Sequence, residues 1–441
     1  MSRVSHAIDG IEVTFDDETL VADAGLIVPA TLVVRLGLEA LVNETVRLAG
    51  RVGGALPGRK ILTLVAAILA GGSHIDHANK LRAGATGEVL PFRVMAPSTL
   101  GTFLRAFTFG HIRQLDRVIA ETIRRVWSAG AGPGNDAMTI DLDSTICEVH
   151  GKAKHGAAYG YTRVLGYHPV LATRAETGEV LHARLRKGSS QRGNRRFVEE
   201  LIARVRRAGA RGPLTLRADS GFWSYALIDT LTRLKVSWSI TIAINAQVKS
   251  AIETIDEAAW QAITYPAGGE AQVAETILAT GSRGNRRELR LVVRRTRLTE
   301  AAQRRLWPDW RHHAFITNVE LPTVAVDQFH RDHATIELAI RDLKEGAGLE
   351  HCPSGRFFAN AAWLGCAVLA HNLIRWTARL GDMHPGEQLT VARTVRTRLL
   401  GLPGRLVNRS RQWVLRLPAR WPWQNEFNTA LDRIRSLPLL T

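Results

Sequence analysis

Three acidic residues, Asp143, Asp219 and Glu337, stand where carboxylates could meet around a metal ion. Asp143 lies in the stretch IDLDST (140–145), where Asp141 and Asp143 alternate and so project to one face of a strand. Asp219 follows the apolar stretch LTLRA, at the carboxyl end of a second strand, where ligands gather in open α/β sheets. Glu337 falls far downstream, in a segment of helical period. Clustered carboxylates repel one another and are costly without a cation. Their hard oxygens suit Mg²⁺, with Mn²⁺ as a substitute. Two such ions can stabilise the attacking and leaving oxygens of an in-line phosphoryl displacement. No serine, cysteine or tyrosine nucleophile motif is legible, which agrees with chemistry that needs no covalent intermediate. Asp141 is a further candidate ligand beside Asp143. Singly, these residues are ordinary: an Asp at a strand end usually caps a turn, and a helical Glu is usually solvated. Their combination is what points to chemistry.

The elements that must position these residues form an α/β pattern. Up to about residue 130 the chain reads as helical, with TLVVRLGLEALVNETVRLAG and GRKILTLVAAILAGG ending on glycine and Ser98 read as a helix N-cap. A Gly/Pro cluster at 129–135 is the clearest boundary. Beyond it the order is strand, hairpin around Gly178, helix, strand, helix, strand, which predicts an α/β sheet of mixed strand direction. Residues 246–322 read as a β-rich insertion, with strands in AETILATG, ELRLVVRRTRL and HHAFITNV. The chain then becomes helical again, and AAWLGCAVLAHNLIRWTARL is strongly apolar. The division expected is a helical 1–130 region, a core of 136–245 and 323–380, the 246–322 insertion, and a helical, basic 381–441 region.

Charge narrows the class of partner. The 441 residues carry a formal net charge of +17 with a pI near 10.7, nearly all of the positive charge being arginine. A polyanion, chiefly nucleic acid or an anionic membrane surface, is the expected partner, and nucleic acid is the favoured one. Arg192, Arg195 and Arg196 lie in RLRKGSSQRGNRR (184–196), a glycine-containing loop that could cradle a phosphodiester, though a solvated basic loop is an equal reading. No uninterrupted run of about 18 apolar residues predicts a membrane span. The first residues lack a secretory h-region. Cys147, Cys352 and Cys366 have no disulfide or zinc spacing, so a cytoplasmic protein is expected.

The motifs together resemble those of the DDE transposases of bacterial insertion sequences, over about 136–380. IDLDST resembles the family's first-Asp strand and gives Asp143; RADSGF (217–222) resembles the second and gives Asp219. The family's Tyr-x2-Arg-x3-Glu-x6-Lys helix falls on His330, His333, Glu337 and Lys344, with histidines replacing Tyr and Arg. These positions and Arg341 share one helical face.

The resemblance implies a ribonuclease-H-like catalytic core with a β-rich insertion, and Mg²⁺ (two ions) held by Asp143, Asp219 and Glu337. It implies double-stranded DNA as partner, both terminal inverted repeats and target, with the helical 1–130 region binding the repeats and a homodimer in the DNA complex. His330, His333, Arg341 and Lys344 would then grip phosphates. In relatives a tryptophan of the insertion can hold a flipped base; Trp307 and Trp310, with Trp260 behind them, are the candidates, against the plain alternative of packing tryptophans. The activity implied is strand cleavage at element ends and strand transfer. The alternatives are an inactive DNA-binding derivative, motivated by His330 and His333, and a ribonuclease-H-like nuclease with another DNA substrate.

Overall fold

Among the described residues nine strands form one mixed sheet, and the two that lead to the aspartates are neighbours within it. In the computed structural model, which describes residues 8–160, 162–188, 190, 193–265, 269–281, 286–297, 310–383 and 391–440, these are β1 (Met138–Ser144), β2 (Val170–Arg174), β3 (Val180–Arg184), β4 (Leu214–Ala218), β5 (Ser237–Ile242), β6 (Gln261–Ala262), β7 (Glu270–Thr280), β8 (Arg287–Arg297) and β9 (Arg311–Thr317). Their order across the sheet is β6-β7-β8-β9-β5-β4-β1-β2-β3. β4 runs parallel to β1 and to β5, and every other pairing is antiparallel. Parallel neighbours need crossovers. These are supplied by helix Asn194–Ala208 between β3 and β4 and helix Tyr225–Arg233 between β4 and β5. The hairpin expected around Gly178 joins β2 to β3, and Gly178 takes the positive φ of 67° that such a turn favours.

The strands expected within 246–322 form, and they lengthen the central sheet rather than building a second one: β9 pairs with β5, opposing Ala314 to Ile242. The N-terminal helices are Ile27–Arg35 (α1), Leu38–Thr45 (α2), Pro57–Leu69 (α3), Pro97–Arg105 (α4) and Phe109–Val126 (α5). α4 begins at Pro97, not after a Ser98 cap, because proline's fixed φ and missing N–H suit the first helical turn. At the Gly/Pro cluster the chain turns through Gly130 at φ 108°, yet the core does not break there. One cluster of buried side chains runs from Leu32 in α1 through Ile140 and Leu216 to Trp363 and Ile434.

The apolar segment Phe357–Leu380 forms a helix packed against α3 and α5 on one side and β3 on another. Its length and mean hydropathy of 1.4 would allow a membrane crossing, but 94% of that window is buried inside the fold. Its polar residues work within the core. The Asn372 amide accepts from the Val180 N–H at 2.8 Å and donates to the Val180 carbonyl at 2.9 Å, so it pairs the edge of β3 as another strand would. Arg375 pairs with Asp342 at 3.0 Å, fixing the chain that follows Glu337.

Candidate active site

The register of β1 and β4 brings the aspartates together. Leu142 opposes Ala218, so Asp143 and Asp219 each come one residue later, at the carboxyl ends of adjacent parallel strands. Asp143 accepts the Ser144 N–H at 2.6 Å, and Asp219 caps the short turn Ser220–Phe222 by accepting the Gly221 N–H at 3.1 Å. Glu337 sits in the first turn of the helix Thr335–Arg341, which packs on β1 and presents Glu337 at an exposed position.

Burial, and then the charges of Asp219 and Glu337, push the Asp143 carboxyl up to about 6, against the Ser144 hydrogen bond and the nearby His333. Burial also raises Asp219, while Gly221, His333 and His168 work in the other direction. Asp143 therefore feels the charge of both other carboxylates. Among the described residues, none of the three pairs with a lysine or arginine.

That sets them apart from a tighter acidic group. Among the described residues, Asp116, His182 and Glu200 are the one set of three whose ligand atoms all lie within 4.8 Å of one another, and the Asp143 set is more open. But arginines already occupy that tighter group: Arg204 contacts Asp116 at 2.5 Å, and Arg184 and Arg113 contact Glu200 at 2.5 and 2.9 Å. It is a neutralised junction of α5, β3 and the helix Asn194–Ala208. A divalent ion needs carboxylates without fixed cations, and the Asp143 set provides them.

Asp141, a candidate ligand from sequence, has another task. It is fully buried, and Arg217 donates to both its oxygens, from Nε at 2.7 Å and from a terminal nitrogen at 2.9 Å. His333 Nδ1 lies 2.9 Å from the same carboxylate. Arg217 also donates to the Phe329 carbonyl and lies over the Phe329 ring, 4.8 Å from its centroid. One buried cluster thus ties β1 and β4 to the segment that leads into Glu337. Both Asp141 oxygens are thus engaged by Arg217, with His333 beside one of them, in contrast to Asp143.

The expected DNA-binding residues divide. His330 is buried, stacked on Phe315 at 4.0 Å, and within 2.8 and 3.0 Å of the Ser239 and Thr241 hydroxyls. Burial, then the positive neighbours, push its imidazole down to about 2, so it is neutral and faces no phosphate. This corrects the expectation, and tertiary packing is the reason. Lys344 donates to the Ile146 carbonyl at 2.8 Å and steadies the chain after β1, while Arg341 is exposed. Arg195 and Arg196 are exposed, with Arg196 paired to Glu200 at 3.0 Å. The Trp310 ring is already stacked by Arg295 and Arg297, at 4.6 and 4.9 Å. Arg192 and Trp307 lie outside the described residues.

Sequence reasoning missed the walls of the cavity beside Asp219. It has a volume of about 280 Å³ and is lined by Ser144, His168, Arg186, Asn194 and the turn Ser220–Phe222. Arg186 donates to Asn194 Oδ1 at 2.6 Å, and burial, then Arg184, lower its pKa to about 10, which leaves it charged at neutral pH. Its position in the already suspect 184–196 loop was the one signal that could have drawn attention to it.

Fold and site define an α/β protein with uncompensated carboxylates at the ends of adjacent parallel strands. The chain belongs to the DDE transposases, since the family model described as Transposase DDE domain group 1 matches residues 5–439. The chain is also similar to a solved structure described as a cryo-EM structure of piggyBac transposase synaptic complex with hairpin DNA. The identity is 12% and the TM-score 0.44, covering 96% of this chain and 83% of that one. No curated protein matches.

Proposed function

We propose that the chain is the transposase of a bacterial insertion-sequence element, cutting DNA at the element's ends and joining them to target DNA, and that Asp143, Asp219 and Glu337 hold its divalent metal. The observation that carries this is that Asp143 and Asp219 stand at the carboxyl ends of adjacent parallel strands, with the charges of Asp219 and Glu337 both acting on Asp143 and none of the three paired with a lysine or arginine among the described residues. The five strands from β3 to β5, mixed in direction, support a ribonuclease-H-like core. Two Mg²⁺ ions would supply stabilisation of the attacking and leaving oxygens.

The residues of the chain would do the rest. Asp143 and Asp219 would be fixed by their backbone N–H contacts and Glu337 by the Asp141–Arg217–His333 cluster. Arg186, at the wall of the cavity beside Asp219, is placed to take a phosphate oxygen of the bound strand. The histidines at 330 and 333 no longer favour an inactive derivative: one packs the core and the other docks the Glu337 helix.

The test is nicking of DNA that carries the terminal inverted repeats, in Mg²⁺ and in EDTA. Metal-dependent nicking at the repeat ends supports the reading. Binding without cleavage in any divalent ion contradicts it.

A further inference from the structure

A two-stranded ribbon far from the acidic residues in sequence breaks three local rules at once. Within the 381–441 region, expected to be helical, strands β10 (Gly404–Arg409) and β11 (Gln412–Arg416) instead pair antiparallel, and β10 is anchored to the fold by long-range pairing with Leu20–Val21. The first departure is charge. Arg405 directly opposes Arg416, and like charges facing each other across strands destabilise a pair. Arg409 lies on the same face, two residues beyond Val407.

The second departure is the turn. Ser410 and Arg411 form its two central residues, with φ of 52° and 67°. Tight hairpin turns with both central residues left-handed favour Asn-Gly or Gly-Gly, and here a full arginine side chain takes the strained position at the tip. The third is Trp413, 65% exposed near the end of the ribbon. Asp17 pairs with Arg405 at 2.9 Å, whereas Arg409, Arg411 and Arg416 pair with no carboxylate among the described residues.

Local costs without a local return are expected where a partner supplies the compensation. A polyanion would do so here, because its phosphates would attract both arginines and offset a repulsion that the single Asp17–Arg405 pair leaves uncompensated at Arg416. We infer that this hairpin docks on duplex DNA, its arginines on the phosphate backbone and its tip directed into a groove, which a two-stranded ribbon is narrow enough to enter. This rests on the reading of the chain as acting on DNA.

The experiment uses the full chain in EDTA, so that no cleavage intervenes, and a fluorescein-labelled random duplex of about 30 base pairs. Anisotropy is followed as NaCl rises from about 50 to 200 mM. Loss of three phosphate contacts in Arg409→Ala/Arg411→Gly/Arg416→Ala should lower affinity about tenfold or more and make the salt slope shallower by about 2 to 3. Arg411→Gly alone guards against misfolding. It should raise the thermal midpoint, because glycine accepts the left-handed turn, and still weaken binding. A folded variant with wild-type affinity and slope overturns the inference and leaves the proposed function standing. Wild-type protein that fails to bind this random duplex also overturns the inference, and nicking of repeat-bearing DNA then decides the proposed function separately.

Discussion

Asp141 and Asp143 stand two residues apart on one strand face, yet their neighbours differ, and the proposed reading gives them different roles for that reason. Arg217 neutralises Asp141, whereas Asp143 faces Asp219 and Glu337 with no fixed cation. The pH dependence follows from the raised Asp143. A metal must displace its proton, so apparent Mg²⁺ affinity should be near its plateau above pH 7. It should weaken as pH falls through about 6, approaching tenfold per unit well below that value. Titration of half-saturating Mg²⁺ for nicking at several pH values checks this, and a flat profile would count against Asp143 as a ligand. The sign for stability is the reverse of the usual acidic case. A carboxyl raised above its unfolded value opposes folding at neutral pH, so Asp143→Asn should abolish nicking while raising the metal-free thermal midpoint.

The strand and the order of the acidic residues were legible in the sequence, because strand alternation and position at a strand end are local patterns. The division of labour between Asp141 and Asp143 was not. Asp141 and Arg217 are 76 residues apart, and a buried pair leaves no periodic trace.

The unit that matters at the next scale is the short segment Phe329–Glu337 with the strands it docks on. His333 contributes through Asp141 and touches no substrate in this account. His333→Ala leaves the Asp141–Arg217 pair intact, so the fold should survive with a small loss of thermal midpoint. Glu337 would lose its register, and a misplacement on the order of 1 Å can cost about 10²-fold in rate. A nicking rate equal to wild type at saturating Mg²⁺ would remove the positioning role. Asp141→Asn should be harsher, costing about 3–5 kcal/mol by leaving Arg217 buried without its partner, readable as a lower urea midpoint. Helical spacing placed Glu337 and Lys344 in one frame with the two histidines, but it could not show that His330 faces Phe315 and the β5 hydroxyls rather than solvent. The strands within 246–322 were legible as strands. Their union with the central sheet rests on the long-range pairing of β9 with β5, which no local pattern encodes.

Across the whole molecule, one hydrophobic core joins the N-terminal helices, the sheet and the helix Phe357–Leu380, and the Asp116–His182–Glu200 junction fastens α5 to β3. Burial works against ionisation of Asp116, but His182 and Arg204 overcome it and hold the carboxyl below its usual range. The nearby His182, the hydrogen bond from Arg113 and the charge of Arg184 do the same for Glu200 despite its burial. Their stabilisation is fully present above the ordinary carboxylate range and is lost as pH falls below about 4. Urea midpoints should therefore drop between pH 5 and 3, and less steeply in Glu200→Gln. Equal slopes would show that the junction does not drive acid unfolding.

The central claim is that Asp143, Asp219 and Glu337 act together on DNA through a divalent metal. Its most direct test is a nicking assay on DNA carrying the terminal inverted repeats, with wild type, Asp143→Asn and Asp219→Asn compared in Mg²⁺. The account predicts cleavage at the repeat ends by wild type alone, with both variants still bound to the DNA. Cleavage that persists in both variants would contradict it.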